Sequence, residues 1–109
     1  MLVGWASDTA EASSPLKSLL ATFDTKKGMG AANRGRYSNP KMDAVLDQAL
    51  ATVDDGKREK LLQQATELAI GDLGIIPLHH QTNLWGTRKG ITYTPRTDER
   101  TLAHEFRPQ

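Results

Sequence analysis

His79 and His80 are the first side chains to weigh for chemistry, because adjacent imidazoles invite a metal reading. They end the run Ile75-Ile76-Pro77-Leu78-His79-His80, whose β-branched content predicts a strand. On a strand, neighbours point to opposite faces, so the pair cannot chelate one ion. His104 lies far downstream, and no Asp or Glu beside the pair completes a ligand spacing. One histidine inward and one outward is therefore expected, with no metal site. The serines at 13, 14, 18 and 38 fall at helix caps or on helices, and none sits in a glycine-flanked nucleophile turn. Gly28-Met29-Gly30 lacks the preceding strand and following lysine of a phosphate loop. Arg34-Gly35-Arg36-Tyr37 reads as a solvated loop before it reads as a phosphate grip. Asp43, Asp47, Glu59 and Glu67 fall opposite apolar stripes, where solvent-facing charge is the expected filler. No catalytic constellation and no cofactor site emerges, so an enzyme is not expected.

Trp5 and Asp8 stand apart. They lie where an extended run, Leu2-Val3-Gly4-Trp5, gives way to the polar loop Asp8–Ser13. A carboxylate there can pair with a cationic group, and a nearby indole can exclude water and strengthen that pairing. Taken locally, the two residues admit a plainer reading as well, a core tryptophan beside a loop-capping aspartate.

The elements that must hold these residues are clearest from Ser38 to His80. Ser38-Asn39-Pro40 is a cap followed by proline at the first helical position, where the missing N–H costs nothing. Met42, Val45, Leu46, Ala49, Leu50 and Val53 then draw one apolar stripe. Asp54-Asp55-Gly56 breaks the pattern, and either aspartate can cap a second helix carrying Leu61, Leu62, Ala65, Leu68, Ala69 and Ile70. Gly71 is its natural stop. Upstream, Ser14-Pro15 repeats the cap-plus-proline signal before a short helix with Leu16, Leu19, Leu20 and Phe23. Residues 24–37 are rich in Gly, Lys, Arg and Asn and predict a mobile loop. Thr82–Arg88 could pair with the preceding strand, and Gly90–Pro95 is another extended segment. From Arg96 onward only Leu102 and Phe106 offer anchors, so the tail is expected to be loosely held. The order predicts an α+β arrangement, short strands packed with a short helix and an antiparallel helical hairpin.

Composition narrows the function classes. The chain has 109 residues, enough for one domain with a modest aliphatic core, since 38% are hydrophobic and only 6% aromatic. Fourteen basic and thirteen acidic residues are interspersed for a net charge of +1, which argues against a nucleic-acid partner. Cysteine is absent, which removes disulfides and thiolate metal sites. No apolar run approaches the roughly eighteen residues of a membrane helix, so membrane insertion is not expected. Met1 is followed directly by Leu2-Val3-Gly4-Trp5 with no basic lead-in, so no signal peptide is read here. Opening mid-strand in this way suggests a piece of something longer.

Four runs, in order, carry a family resemblance: Gly4-Trp5-Ala6-Ser7-Asp8, Tyr37–Ala49, Asp54–Leu62 and Gly74–His80. Together, over about residues 2–95, they resemble the C-terminal part of periplasmic peptide-type solute-binding proteins of ABC importers, solute-binding family 5, which includes oligopeptide, dipeptide and nickel binders. The resemblance implies the C-terminal part of the second lobe of a two-lobed protein. Residues 1–74 would belong to that lobe, and residues 75–109 would form crossover strands and a tail returning toward the first lobe. It implies a periplasmic location, a membrane permease as partner, and a peptide or other small amine-bearing solute as ligand. In peptide-binding members the aspartate three residues after this tryptophan pairs with the ligand's α-ammonium group and the tryptophan lines the pocket. The resemblance thus assigns ligand binding to Asp8 and Trp5. The chain departs from the family in having Glu11-Ala12 where an acidic residue and proline often follow. Nickel-type members lack the aspartate, so Asp8 favours an amine.

The alternative from another class is a stand-alone protein-interaction module that presents the helical hairpin to a partner. If the chain is a severed lobe, uncovered apolar surface and strand edges should drive self-association.

Overall fold

The computed structural model describes residues 2–7 and 9–109. They fall into two compact units, Met1–Pro77 and Leu78–Gln109.

In the first unit, helices α2 (Pro40–Ala51) and α3 (Asp55–Gly71) form the body. Asn39 caps α2, its side-chain oxygen accepting the N–H groups of Lys41 (2.9 Å) and Met42 (3.2 Å), with Pro40 at the first helical position as expected. Asp54 caps α3 through the Lys57 N–H at 2.8 Å. The helices run antiparallel, since Asn39 at the start of α2 touches Asp72 beyond α3, while Arg58 early in α3 reaches the Ala49 carbonyl. Their stripes meet as the spacing predicts: Met42, Leu46, Ala49, Ala65 and Ala69 are fully buried and Leu62 nearly so. Val53 is the exception at 93% exposed, because the chain has left α2 by then.

The end of α3 is closed two residues past Gly71. Leu73, at φ +55°, makes the left-handed turn; its N–H donates to Ile70 O (2.9 Å) and the Gly74 N–H to Ala69 O (2.9 Å). This pair of bonds is a Schellman closure with leucine where glycine is usual. The Tyr37 hydroxyl (2.9 Å) and the Asn39 amide donate to the same Asp72 oxygen, which clamps the two helix ends. Burial, and then the bond to Asp72, raise the Tyr37 pKa and keep its hydroxyl a donor.

The hairpin was expected to pack on a sheet; instead it packs on a short helical segment. Helix α1 (Ser13–Pro15) runs into a π turn, Leu16–Leu20, closed by the Ala21 N–H on Leu16 O at 2.8 Å. Leu16, Leu19 and Leu20 are buried against α2 and α3. Ser14 does not cap this helix. The helix begins at Ser13, so the cap position is Ala12, which has no side-chain acceptor, and the Ser13 and Ser14 hydroxyls bond Glu11 and Trp5 instead. Phe23 falls beyond the helix, 45% exposed, with the Arg36 guanidinium 4.4 Å over its ring.

Residues 24–37 are pinned, contrary to the expectation of a mobile loop. Asp24 and Met29 exchange backbone hydrogen bonds (3.0 Å each), and the Gly30 and Ala32 N–H groups bond the Lys17 and Ser18 carbonyls. Buried Asn33 donates to Ala21 O (3.0 Å) and Tyr37 O (2.7 Å) and accepts the Tyr37 N–H (3.1 Å), substituting for secondary structure. Gly30 sits at φ +64° so close to the 21–23 backbone that a Cβ would lie 2.8 Å from Phe23 Cα, so only glycine fits. Asp43 is not solvent filler either, since it accepts both the N–H (3.0 Å) and the hydroxyl of Thr22. Asp47 and Glu59 do stay on the outer surface, bonded to Lys27 and Gln63.

Neither predicted strand of this unit is one. Residues 2–5 and 75–77 belong to no strand, with Leu2 81% and Ile76 67% exposed, although Ile75 reaches the core. A strand needs a neighbour to complete its backbone bonds, and Pro77 removes a donor besides.

In the second unit, His79 and His80 are both exposed in irregular chain, so the inward–outward expectation fails with its strand. Thr82–Arg88 forms no ladder. Strand β1 (Ile91–Tyr93) pairs antiparallel with β2 (Phe106–Pro108), Tyr93 opposite Phe106. The tail is therefore held: Tyr93 contacts Phe106 (ring centroids 4.8 Å apart) and Trp85 (5.6 Å), and the Tyr93 hydroxyl and Trp85 N–H donate to Arg100 O and Thr101 Oγ1. Arg96 grips Asp98 with both arms of its fork and holds that carboxyl at about 2. The architecture is a mix of helices and one small antiparallel sheet, compatible with α+β. Among the described residues no helix is long and apolar enough to cross a membrane.

Candidate functional site

Of the two residues assigned to ligand binding, Asp8 lies outside the described residues. Trp5 is 44% exposed, so it is not a core tryptophan. Its indole N–H donates to Ser14 Oγ at 3.3 Å, a long bond that steadies the ring without enclosing it. The segment around it is open: Leu2–Ser7, Thr9 and Ala10 are all exposed. Ser7 donates its hydroxyl to the Glu11 carbonyl (3.0 Å) and shares a 3.3 Å hydroxyl contact with Thr9. Ala10 turns the chain through a left-handed φ of +52°, which strains a residue bearing a Cβ.

Immediately after Ala10 stands an ion pair that sequence reasoning missed. Glu11 receives Arg58 in a two-pronged contact, Nη2 to Oε1 at 2.7 Å and Nε to Oε2 at 2.8 Å. The buried Ser13 hydroxyl donates to Oε1 as well. Arg58 spends its remaining arm on the Ala49 carbonyl, at 3.0 Å. The bonds from Arg58 and then Ser13 hold the Glu11 carboxyl at about 2, against an ordinary 4.5, and the same pairing raises Arg58. Beside this pair, Ala10–Ala12 and the α3 residues Asp55, Glu59, Leu62 and Thr66 border an open depression of about 600 Å³. Partners 47 residues apart leave no local signal.

The arrangement offers an exposed aromatic face and a loop tied to the helical body by an ion pair. Among the described residues no three His, Asp or Glu side chains converge to hold a metal.

The chain is 29% identical over 98 residues to the probable D,D-dipeptide-binding periplasmic protein DdpA of Escherichia coli, an alignment covering 87% of this chain and 18% of that protein. It is 28% identical over 79 residues to heme-binding protein A of Haemophilus influenzae, covering 72% of this chain and 14% of that protein. The chain thus spans less than a fifth of either relative. Both relatives are named as binding proteins, and one as periplasmic. No family model matches the chain, and no solved structure matches it.

Proposed function

We propose that these 109 residues are part of the second lobe of a periplasmic solute-binding protein that delivers a peptide or other amine-bearing solute to the permease of an ABC importer. Asp8 pairs with the solute's ammonium group and Trp5 walls the site. Neither step is catalytic; binding rests on charge pairing beside an aromatic face. The observation that carries the reading is the alignment of 87% of the chain with a protein named for binding a dipeptide. The exposed ring of Trp5 supports it, because a wall residue has to be reachable. That residues 2–5 and 75–77 have strand-like composition yet join no strand supports the lobe assignment, since strands supplied from elsewhere in such a protein would pair with them. Uncovered in the isolated chain, those edges give it a tendency to self-associate.

Titration calorimetry on the longer protein tests the reading. A dipeptide with a free amino group is expected to bind, and Asp8→Asn is expected to weaken it by about a hundredfold, the scale of a lost charge-assisted bond. The N-acetylated dipeptide should bind no better to the parent than to the variant. Undiminished affinity after Asp8→Asn would remove Asp8 from the site, and tight binding of hemin with no dipeptide affinity would replace the amine by a different ligand class. The isolated 109 residues are expected to bind weakly, because the opposing wall is not among them.

A further inference from the structure

We infer that Glu11 and Arg58, completed by Ser13, are positioning residues for the segment that carries Trp5; the ligand consequence of this inference rests on the proposed function, its conformational consequence does not. A chain of hydrogen bonds runs outward from the helical body to the loop. Arg58 is oriented before it meets Glu11, because it stands on α3 and its Nη1 is held by the Ala49 carbonyl of α2. Its Nε and Nη2 take both oxygens of Glu11. A planar fork on a planar carboxylate fixes direction as well as distance. Glu11 thereby becomes the point where the N-terminal segment joins the helical body. Besides the Ser7–Thr9 hydroxyl contact, the side-chain bonds of the described residues in this segment end at the joint or just after it: Ser7 on the Glu11 carbonyl and Trp5 on Ser14. Residues 2–7 are otherwise exposed and belong to no regular element. Ala10 holds a left-handed turn immediately before the joint, and a strained turn persists only where its surroundings hold it. The ion pair and the Ser13 bond supply that constraint, and through it α2 and α3 specify where Trp5 stands.

The chain contains two tryptophans, so Trp85→Phe leaves Trp5 as a single fluorescent reporter in the full 109 residues. In that background Glu11→Gln is expected to move the Trp5 emission to longer wavelength and to raise its acrylamide quenching, while the far-UV helix signal stays at the parent level. The reciprocal exchange, Glu11→Arg with Arg58→Glu, is expected to return the emission toward the parent. Emission and quenching unchanged by Glu11→Gln would overturn the inference. So would collapse of the helix signal, which would make the pair a support of the whole body and not of the loop. In the longer protein, Glu11→Gln is expected to weaken dipeptide affinity about tenfold through a less ordered loop. Affinity lost with Asp8→Asn but kept with Glu11→Gln defeats the positioning role and leaves the proposed function standing. Affinity insensitive to both, with Trp5 emission shifted by Glu11→Gln, defeats the proposed function and leaves the joint.

Discussion

The helical hairpin and the irregular segment that leaves it both carry aliphatic side chains but meet opposite fates. Met42, Leu46 and Ala49 on α2 lose all exposure, while Ile76, a few residues beyond α3, keeps 67% of its surface and Leu2 keeps 81%. The difference lies in where each backbone finds its partners. A helix closes its N–H groups on carbonyls four residues back and can then commit its side chains to a neighbour. An extended segment completes neither its backbone nor its apolar face until a second strand arrives. The hairpin is finished by residues present in this chain. The segments outside it join no strand, and Trp5 lies in one of them.

The strongest way to test that contrast is to truncate one side chain in each region. Leu46→Ala removes a fully buried side chain where α2, α3 and the π turn meet, and should cost about 3 kcal/mol. Leu2→Ala in the exposed segment should stay within about 0.5 kcal/mol. Urea unfolding followed by the helix signal measures both, and comparable losses would break the comparison.

Acid probes the joint between the regions. Glu11 is depressed from 4.5 to about 2 by Arg58 and Ser13, so its contribution to stability is complete above pH 4.5 and disappears as pH falls toward 2. Asp98, depressed from 3.8 to about 2 by Arg96, acts in the same direction on the second unit. Stability should therefore fall between pH 4.5 and 2, and Arg58→Gln should flatten that fall for the helical unit. Solvent reaches the pair, so the effect is smaller than that of Leu46→Ala. An unchanged acid slope in Arg58→Gln would show that the pairing contributes nothing to folding.

Legibility in the sequence divides along the same line. Asn39, Pro40, Asp54 and the two stripes could be read because caps and helical periodicity are settled within a few residues. Ile75–Ile76 has the composition of a strand, but composition does not say whether a neighbour exists. Asn33 and Gly30 order residues 24–37 through contacts with residues 17–23, and such contacts leave no periodicity to read. Glu11 and Arg58 were invisible for the same reason. At the site, the assignment of Trp5 to ligand binding came by resemblance alone, since its local sequence favours a core reading; the ring is in fact 44% exposed.

A smaller effect, of opposite sign, tests the boundary where the hairpin hands over to extended chain. Leu73 holds the left-handed position that closes α3, and it is 72% exposed, so its side chain gains little from burial. Leu73→Gly removes the clash of Cβ with the backbone but gives the unfolded chain more freedom. The net expectation is a stabilisation of about 0.5 kcal/mol. Differential scanning calorimetry should show a slightly higher midpoint, and a lower one would mean that the leucine side chain supports the turn.

The smallest expected change in stability belongs to Ile76→Ser, and it carries the most information about what the extended segments do. Ile76 buries little, so the urea midpoint should move by no more than about 0.5 kcal/mol. Its exposed side chain and the unpaired backbone around it are nevertheless the kind of edge on which a second strand pairs. Sedimentation velocity across a concentration series is expected to show the parent chain associating and the Ile76→Ser chain associating less. Serine keeps the backbone donor and acceptor, so reduced association at unchanged stability would assign the effect to the apolar face of the segment. A parent that stays monomeric at high concentration would mean that the open segments are well solvated as they stand, and the contrast between finished hairpin and unfinished edge would lose its functional meaning.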